Sequence, residues 1–283
     1  MNTPSLTHSF SNTKVHRNIP DPDYRAIKAL SKSSLTHFLK SPAHYLASTE
    51  MPKETTDAMM FGTAYHAYVL TPDRFAENVV MKPEWDARTK EGKAIKAEFE
   101  ASLGRKVYIN DKQLDAIKAM KAALMEHKVA SKLLAGLTDT EMAIESDYHP
   151  MHPKPGSVRI KGLLDGWDHN TATIIDLKTC KDASPEGFKW ACKDFRYDMQ
   201  EVQYRALINA AFKGDTHGGV DRFVFIAQEK EPPYAVACYT LSHRTLMTAY
   251  DEWRVAVHNF GECQTNAVWP GYAASLVELE IVR

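Results

Sequence analysis

No CxxC pair, no long apolar run, no excess of either charge and no phosphate-binding P-loop occurs in this sequence. The four cysteines, Cys180, Cys192, Cys238 and Cys263, stand 12, 46 and 25 residues apart. That spacing argues against a zinc ribbon and leaves reduced, mostly buried thiols as the expectation. No stretch approaches the ~18 apolar residues of a spanning helix. The opening MNTPSLTHSFSNTKVHRN carries no apolar signal segment, so a cytoplasmic, non-membrane protein is expected. With 35 Lys+Arg against 36 Asp+Glu the net charge is −1, which excludes coating nucleic acid through bulk positive charge. A local basic groove remains compatible with it. Without a GxxxxGK[ST] motif, no ATP-driven activity is expected.

What is present is ordinary globular material: 283 residues, 44% hydrophobic and 25% charged, enough for a substantial core. Residues 1–20 are polar and rich in Ser, Thr and Asn and read as a flexible arm, with one domain over 21–283. Ser33 or Ser34 is expected to cap a short helix carrying Leu35, Phe38 and Leu39, and Pro42 to open the next after Ser41. A helix around MMFGTAYHAYVL ends near Thr71-Pro72. Residues 82–132 hold 12 Lys/Arg and 8 Asp/Glu; helices over 90–103 and 111–134 flank a GRKVYIN segment. This region, 82–134, reads either as a solvated helical face or as an arch-like insertion over an acidic polymer.

After Gly136 the periodicity changes to two, predicting strands over Glu141–Tyr148, Ser157–Trp167 and Thr171–Thr179. Helices over Asp182–Phe195 and Asp198–Phe212 follow, then strands Asp221–Gln228 and Tyr234–Leu241 and a helix near His243–Phe260. The expected fold class is therefore mixed α/β with a helical N-terminal part and a core at 139–260.

The chemistry concentrates in SVRIKGLLDGWDHNTATIIDLKTCKD. Asp176 and Lys178 are two apart on one strand and share a face. Asp165 can approach them across the hairpin. Two carboxylates so placed repel unless a hard cation such as Mg²⁺ or Mn²⁺ joins them, and an ammonium beside that cation suits phosphoryl chemistry. A surface hairpin with a simple salt bridge is the plainer alternative. His149 and His152 also have a metal-like spacing, but the prolines around them point to a connecting loop.

These residues, with Tyr24, SerLysSerSerLeu (31–35), SerProAlaHis (41–44), GlyThrAlaTyrHis (62–66), Glu141, ArgIleLysGlyLeuLeuAsp (159–165), IleIleAspLeuLysThr (174–179) and GlnGluValGlnTyr (200–204), resemble the PD-(D/E)XK nuclease superfamily. The likeness is to the RecE-like exonucleases, exonuclease VIII, and related phage proteins of the RecB-nuclease group, and it runs from about Tyr24 to the WPGY segment. It implies a restriction-endonuclease-like core, a mixed sheet flanked by helices. By the same resemblance His66, Asp165, Asp176 and the Leu177 carbonyl are metal ligands and Lys178 is the catalytic lysine. Gln200 and Tyr204 hold the lysine strand and contact DNA, while Glu141 lies near the site without being a ligand. Gly62 would let another backbone approach the His66 helix. Arg25, Lys32, Ser33, Ser34, Arg159 and Lys161 are the implied DNA contacts.

The implied activity is a Mg²⁺-dependent exodeoxyribonuclease, with Mn²⁺ a possible substitute, acting 5′→3′ on linear double-stranded DNA ends. It would leave single-stranded tails for an annealing protein in recombination, as a ring-shaped homo-oligomer in a bacterial cytoplasm, encoded by phage or host. The absence of a cysteine cluster implies no iron–sulfur centre. A structure-specific endonuclease and a catalytically silent DNA-binding or regulatory protein of the same fold are the alternative readings.

Overall fold

The computed structural model describes residues 9–17, 19–51, 55–86, 88–104, 106–150, 156–212 and 219–280. The chain begins with strand β1 (Ser9–His16) and helices α1 (Asp21–Ala26), α2 (Lys32–Lys40), α3 (Pro42–Glu50) and α4 (Asp57–Leu70). A 3-10 turn leads to α5 (Phe75–Asn78), β2 (Val79–Met81), α6 (Lys90–Ser102), β3 (Val107–Ile109), α7 (Asp111–Glu126) and α8 (Lys128–Ala135). Next come β4 (Asp139–His149), β5 (Val158–Asp168), β6 (Thr173–Cys180), α9 (Pro185–Phe195), α10 (Tyr197–Ala211), β7 (Arg222–Glu229), β8 (Val236–Tyr239) and α11 (His243–Asn266).

Six strands form one sheet in the order β1-β4-β5-β6-β7-β8, antiparallel except for the β6–β7 pair. The parallel step follows from the α9–α10 crossover between those strands. The mixed α/β class and the sheet flanked by helices are as expected. Alternation along β6 and β7 divides the core between two faces. Ile174, Phe223 and Phe225 join Met199, Leu207 and Trp253 on one side. Ile175, Leu177 and Ile226 join Phe61, Tyr65, Ile109, Ile117, Met120 and Leu124 on the other.

Four local expectations are corrected. Residues 9–16, expected within a loose arm, form the edge strand β1. Its polar side chains find polar partners on β4: Ser11 bonds His149 at 2.7 Å, Asn12 donates to Asp147 at 2.7 Å and Thr13 meets Ser146 at 2.8 Å. Ser31, not Ser33 or Ser34, caps α2, because Leu30 is pinned to β5: it donates to the Arg159 carbonyl and accepts from Lys161 N–H. The expected 111–134 helix breaks at His127, whose side chain caps α8. Finally, α7 packs Ile117, Met120 and Leu124 fully buried against the sheet, so it is part of the cover and not a free-standing arch. Within 82–134, α6 keeps a largely exposed surface. His149 is engaged with Ser11, and His152 lies outside the described residues.

Candidate active site

The hairpin β5–β6 is a regular ladder only at its closed end, where Gly166, Trp167 and Asp168 pair with Ile175, Ile174 and Thr173. One residue further the strands separate. There Asp165 Oδ2, not a ladder carbonyl, accepts the Leu177 N–H at 2.7 Å. Leu164 and Trp167 both belong to the same core although three residues apart, so the alternation of β5 is interrupted at Asp165. Opposite it, between the pairs Thr140–Gly166 and Met142–Leu164, Glu141 takes a left-handed φ of 48°. A non-glycine residue there is strained, and such backbone is retained where surrounding structure enforces it.

Helix α4 supplies the imidazole. Its Thr56 cap fixes the start, and Tyr65, fully buried, donates to Gln228 Oε1 on β7. Gln228 in turn donates to the Met120 and Tyr234 carbonyls, so α4, α7 and the sheet are tied together at one side chain. His66, the next residue, is thereby set with Nδ1 3.6 Å from Asp165 Oδ1. Gly62 is not required by a close approach: a Cβ there would meet Thr179 Oγ1 at an ordinary 3.6 Å.

Helix α10 supports the second acid. Gln200 Nε2 donates to Asp176 Oδ1, and Lys178 Nζ forms an ion pair with Asp176 Oδ2. That Oδ2 is buried, and its partner is the Lys178 ammonium. Four residues on, Tyr204 packs against β5 at Gly162, where a Cβ would lie 2.8 Å from the Tyr204 ring. Gln200 thus holds Asp176 and buried Tyr204 holds β5; Tyr204 is too enclosed to contact DNA as expected.

Electrostatics follow from burial and crowding. Burial raises the Asp176 carboxyl to about 6, Lys178 opposing and the Asp165 charge adding to the shift. For Asp165 burial acts the same way, but His66, Lys178 and the Leu177 N–H outweigh it and hold the group below its ordinary value. Burial would lower His66 and Lys178, yet the acids around them raise both. Lys32 goes the other way: burial and the Lys178 charge push it down to about 8.

His66, Glu141 and Asp165 each offer a ligand atom, all within 4.8 Å of one another. One imidazole and two carboxylates fit a divalent cation that accepts oxygen and nitrogen donors. The buried carboxylate of Asp176, paired with Lys178, adds a further anionic group to this neighbourhood. The grouping differs from the expected ligand set in including Glu141 and in leaving Asp176 bound to Lys178 and Gln200.

The expected DNA contacts separate into two groups. Lys32 stands beside Lys178, both ammonium groups over the Tyr197 ring at 5.2 and 4.9 Å. Ser33 and Arg25 are exposed nearby in sequence, and Ser34 bonds Ser31 at the helix cap. By contrast Arg159 is spent on Glu145 and Asp147, at 2.8 and 2.7 Å. Lys161 is buried and donates to the Tyr24 and Ile27 carbonyls, each at 2.8 Å. Their charges serve β4 and α1, which corrects the expectation that they face DNA.

A candidate exonuclease from Eubacterium rectale superposes with a TM-score of 0.55 at 10% identity, covering 94% of this chain and 97% of its own. A phage-related exonuclease from Haemophilus somnus 129PT also matches, with a TM-score of 0.31 at 13% identity over 84% of this chain and 96% of its own. No curated protein sequence matches the chain. Residues 31–279 match a family model, and with that span the chain belongs to the family described as a PDDEXK-like domain of unknown function (DUF3799).

Proposed function

We propose that this chain is a divalent-metal-dependent deoxyribonuclease, Mg²⁺ being the natural ion and Mn²⁺ a substitute. What carries the reading is the convergence of His66, Glu141 and Asp165 beside the buried Asp176–Lys178 pair, within a PDDEXK-like domain. His66, Glu141 and Asp165 would hold the cation, which when bound polarises the phosphodiester and makes water a nucleophile near neutral pH.

The chain's own residues do the rest. Asp176, fixed by Gln200, keeps Lys178 in place. The Lys178 ammonium, held charged by two carboxylates, stabilises negative charge developing on the phosphoryl oxygens. Leu177, donating its N–H to Asp165, locks that acid's orientation. Lys32 supplies a second ammonium on the same side for a neighbouring phosphate.

The finer reading is a 5′→3′ exonuclease on linear double-stranded DNA, producing single-stranded tails for an annealing protein of a recombination system. A ring of identical subunits would enclose the duplex and give processivity, with exposed α6 as the segment over the substrate. Support for it is the sequence resemblance and the intact His66, Asp165, Asp176 and Lys178. Purified protein with Mg²⁺ and matched linear and covalently closed DNA tests the proposal. Loss of the linear form alone is expected; nicked circles would mean an endonuclease, and no cleavage of either would mean a DNA-binding protein without turnover.

A further inference from the structure

Phe195 is a large apolar side chain left 57% exposed at the C-terminal end of α9. It is also the outermost ring of a stack that starts in the core. Buried Phe225 stacks on Tyr197 at 5.8 Å and 24°, and Tyr197 stacks on Phe195 at 5.7 Å and 23°. The turn between the two outer rings is rigidly made. Arg196 takes a left-handed φ of 52°, and its guanidinium is bound to Asp198 at 3.1 Å and to Glu252 of α11. The middle ring, Tyr197, is the one over which Lys178 and Lys32 both sit. An exposed phenyl group is therefore presented on a fixed base, one ring away from the lysine of the candidate active site.

We propose that Phe195 is a stacking platform for an unpaired nucleobase of the strand being cut, holding that strand beside Lys178. The proposal rests on the nuclease reading above. Stacking on a protein ring suits an enzyme that must accept any sequence, because every base has a π-face. The two ammonium groups on Tyr197 supply the charge that the phosphate attached to such a base requires. A base inside a duplex has both faces occupied by its neighbours, so the platform engages the terminal nucleotide once it is unpaired.

The test uses synthetic duplexes with short single-stranded tails, of either polarity, carrying 2-aminopurine in the tail. In EDTA, wild-type protein should quench the 2-aminopurine on binding. Phe195→Ala and Phe195→Leu should bind about tenfold more weakly and lose the quenching, while Phe195→Tyr should restore both. With Mg²⁺, Phe195→Ala should raise KM for tailed duplexes more than it lowers kcat. Circular dichroism of each variant reports whether α9 remains folded. If wild type degrades DNA but Phe195→Ala and Phe195→Leu bind, quench and cleave as wild type does, the platform is overturned and the nuclease reading stands. If wild type neither cleaves nor quenches, both fall. Loss of self-association in Phe195→Ala, with DNA behaviour unchanged, would assign the ring to a contact between copies of the chain and overturn the platform.

Discussion

Strand β5 passes through two charged clusters, and they differ in how their charged groups are arranged. At its beginning, Arg159 lies between Glu145 and Asp147, Glu145 also meets His16 at 3.0 Å, and Lys161 is tied to two carbonyls of the α1 region. Towards its end, Glu141, Asp165 and Asp176 gather with His66 and Lys178, and Lys32 stands beside Lys178. The first cluster is balanced and joins β1, β4, β5 and α1. The second sets His66, Glu141 and Asp165 within 4.8 Å of one another beside a buried carboxylate–ammonium pair, on backbone strained at Glu141. Convergence of carboxylates and an imidazole at a distorted point of a sheet is what separates a candidate site from a structural ion pair.

Breaking the second cluster should abolish chemistry while sparing the fold. Lys178→Ala is expected to slow loss of linear DNA by about 10²–10³-fold or more, with the circular dichroism spectrum retained. Normal degradation by that variant would remove Lys178 from the active site. Glu141→Gln sharpens the comparison, since it tests whether the strained residue is a metal ligand. The Mg²⁺ concentration giving half-maximal rate should rise about tenfold or more; an unchanged titration curve would restrict the metal site to the other residues.

The first cluster should respond in the opposite sense. Lys161→Met is expected to cost about 1.5–3 kcal/mol in urea unfolding, from two lost charge-assisted hydrogen bonds, with the cleavage rate per folded molecule retained. A variant that is fully stable but binds DNA poorly would return Lys161 to the substrate. The smallest effect is on pH dependence. Burial would raise Glu145 and Asp147, yet their partners, Arg159 foremost in common, hold both below ordinary carboxylate values. The unfolded chain then binds protons that the folded chain does not. The stabilisation is complete above about pH 4.5 and is lost as the pH falls through the depressed folded values. Arg159→Met should flatten this acid limb in urea midpoints measured between about pH 3 and pH 6; an unaltered limb would show that other groups set it.

The elements nearest the chemistry were the most legible. The Asp165 and Asp176-Leu177-Lys178 hairpin, the His66 helix and the Gln200–Tyr204 helix could be read because strand alternation and helical periodicity are local properties. β1 escaped because its stabilising partners are polar residues on β4, more than 120 residues away. Three serines within residues 31–34 could each cap α2; Leu30, hydrogen-bonded to β5, decides which one does. Arg159 and Lys161 looked like substrate contacts because sequence gives their charge but not where that charge is neutralised. Glu141 was left outside the ligand set because its left-handed backbone cannot be seen in a period-two pattern.

The sequence by itself determined the order of helices and strands from β4 onward, the pairing of β5 with β6 and the candidates Asp165, Asp176 and Lys178. Only the tertiary structure decided which charges are neutralised within the chain, how Glu141 is drawn to His66 and Asp165, and how Phe195 is set one ring away from Lys178. The reason is one of range. Local periodicity fixes what a residue's own element does, whereas burial, charge balance and backbone strain depend on partners brought together from distant parts of the chain.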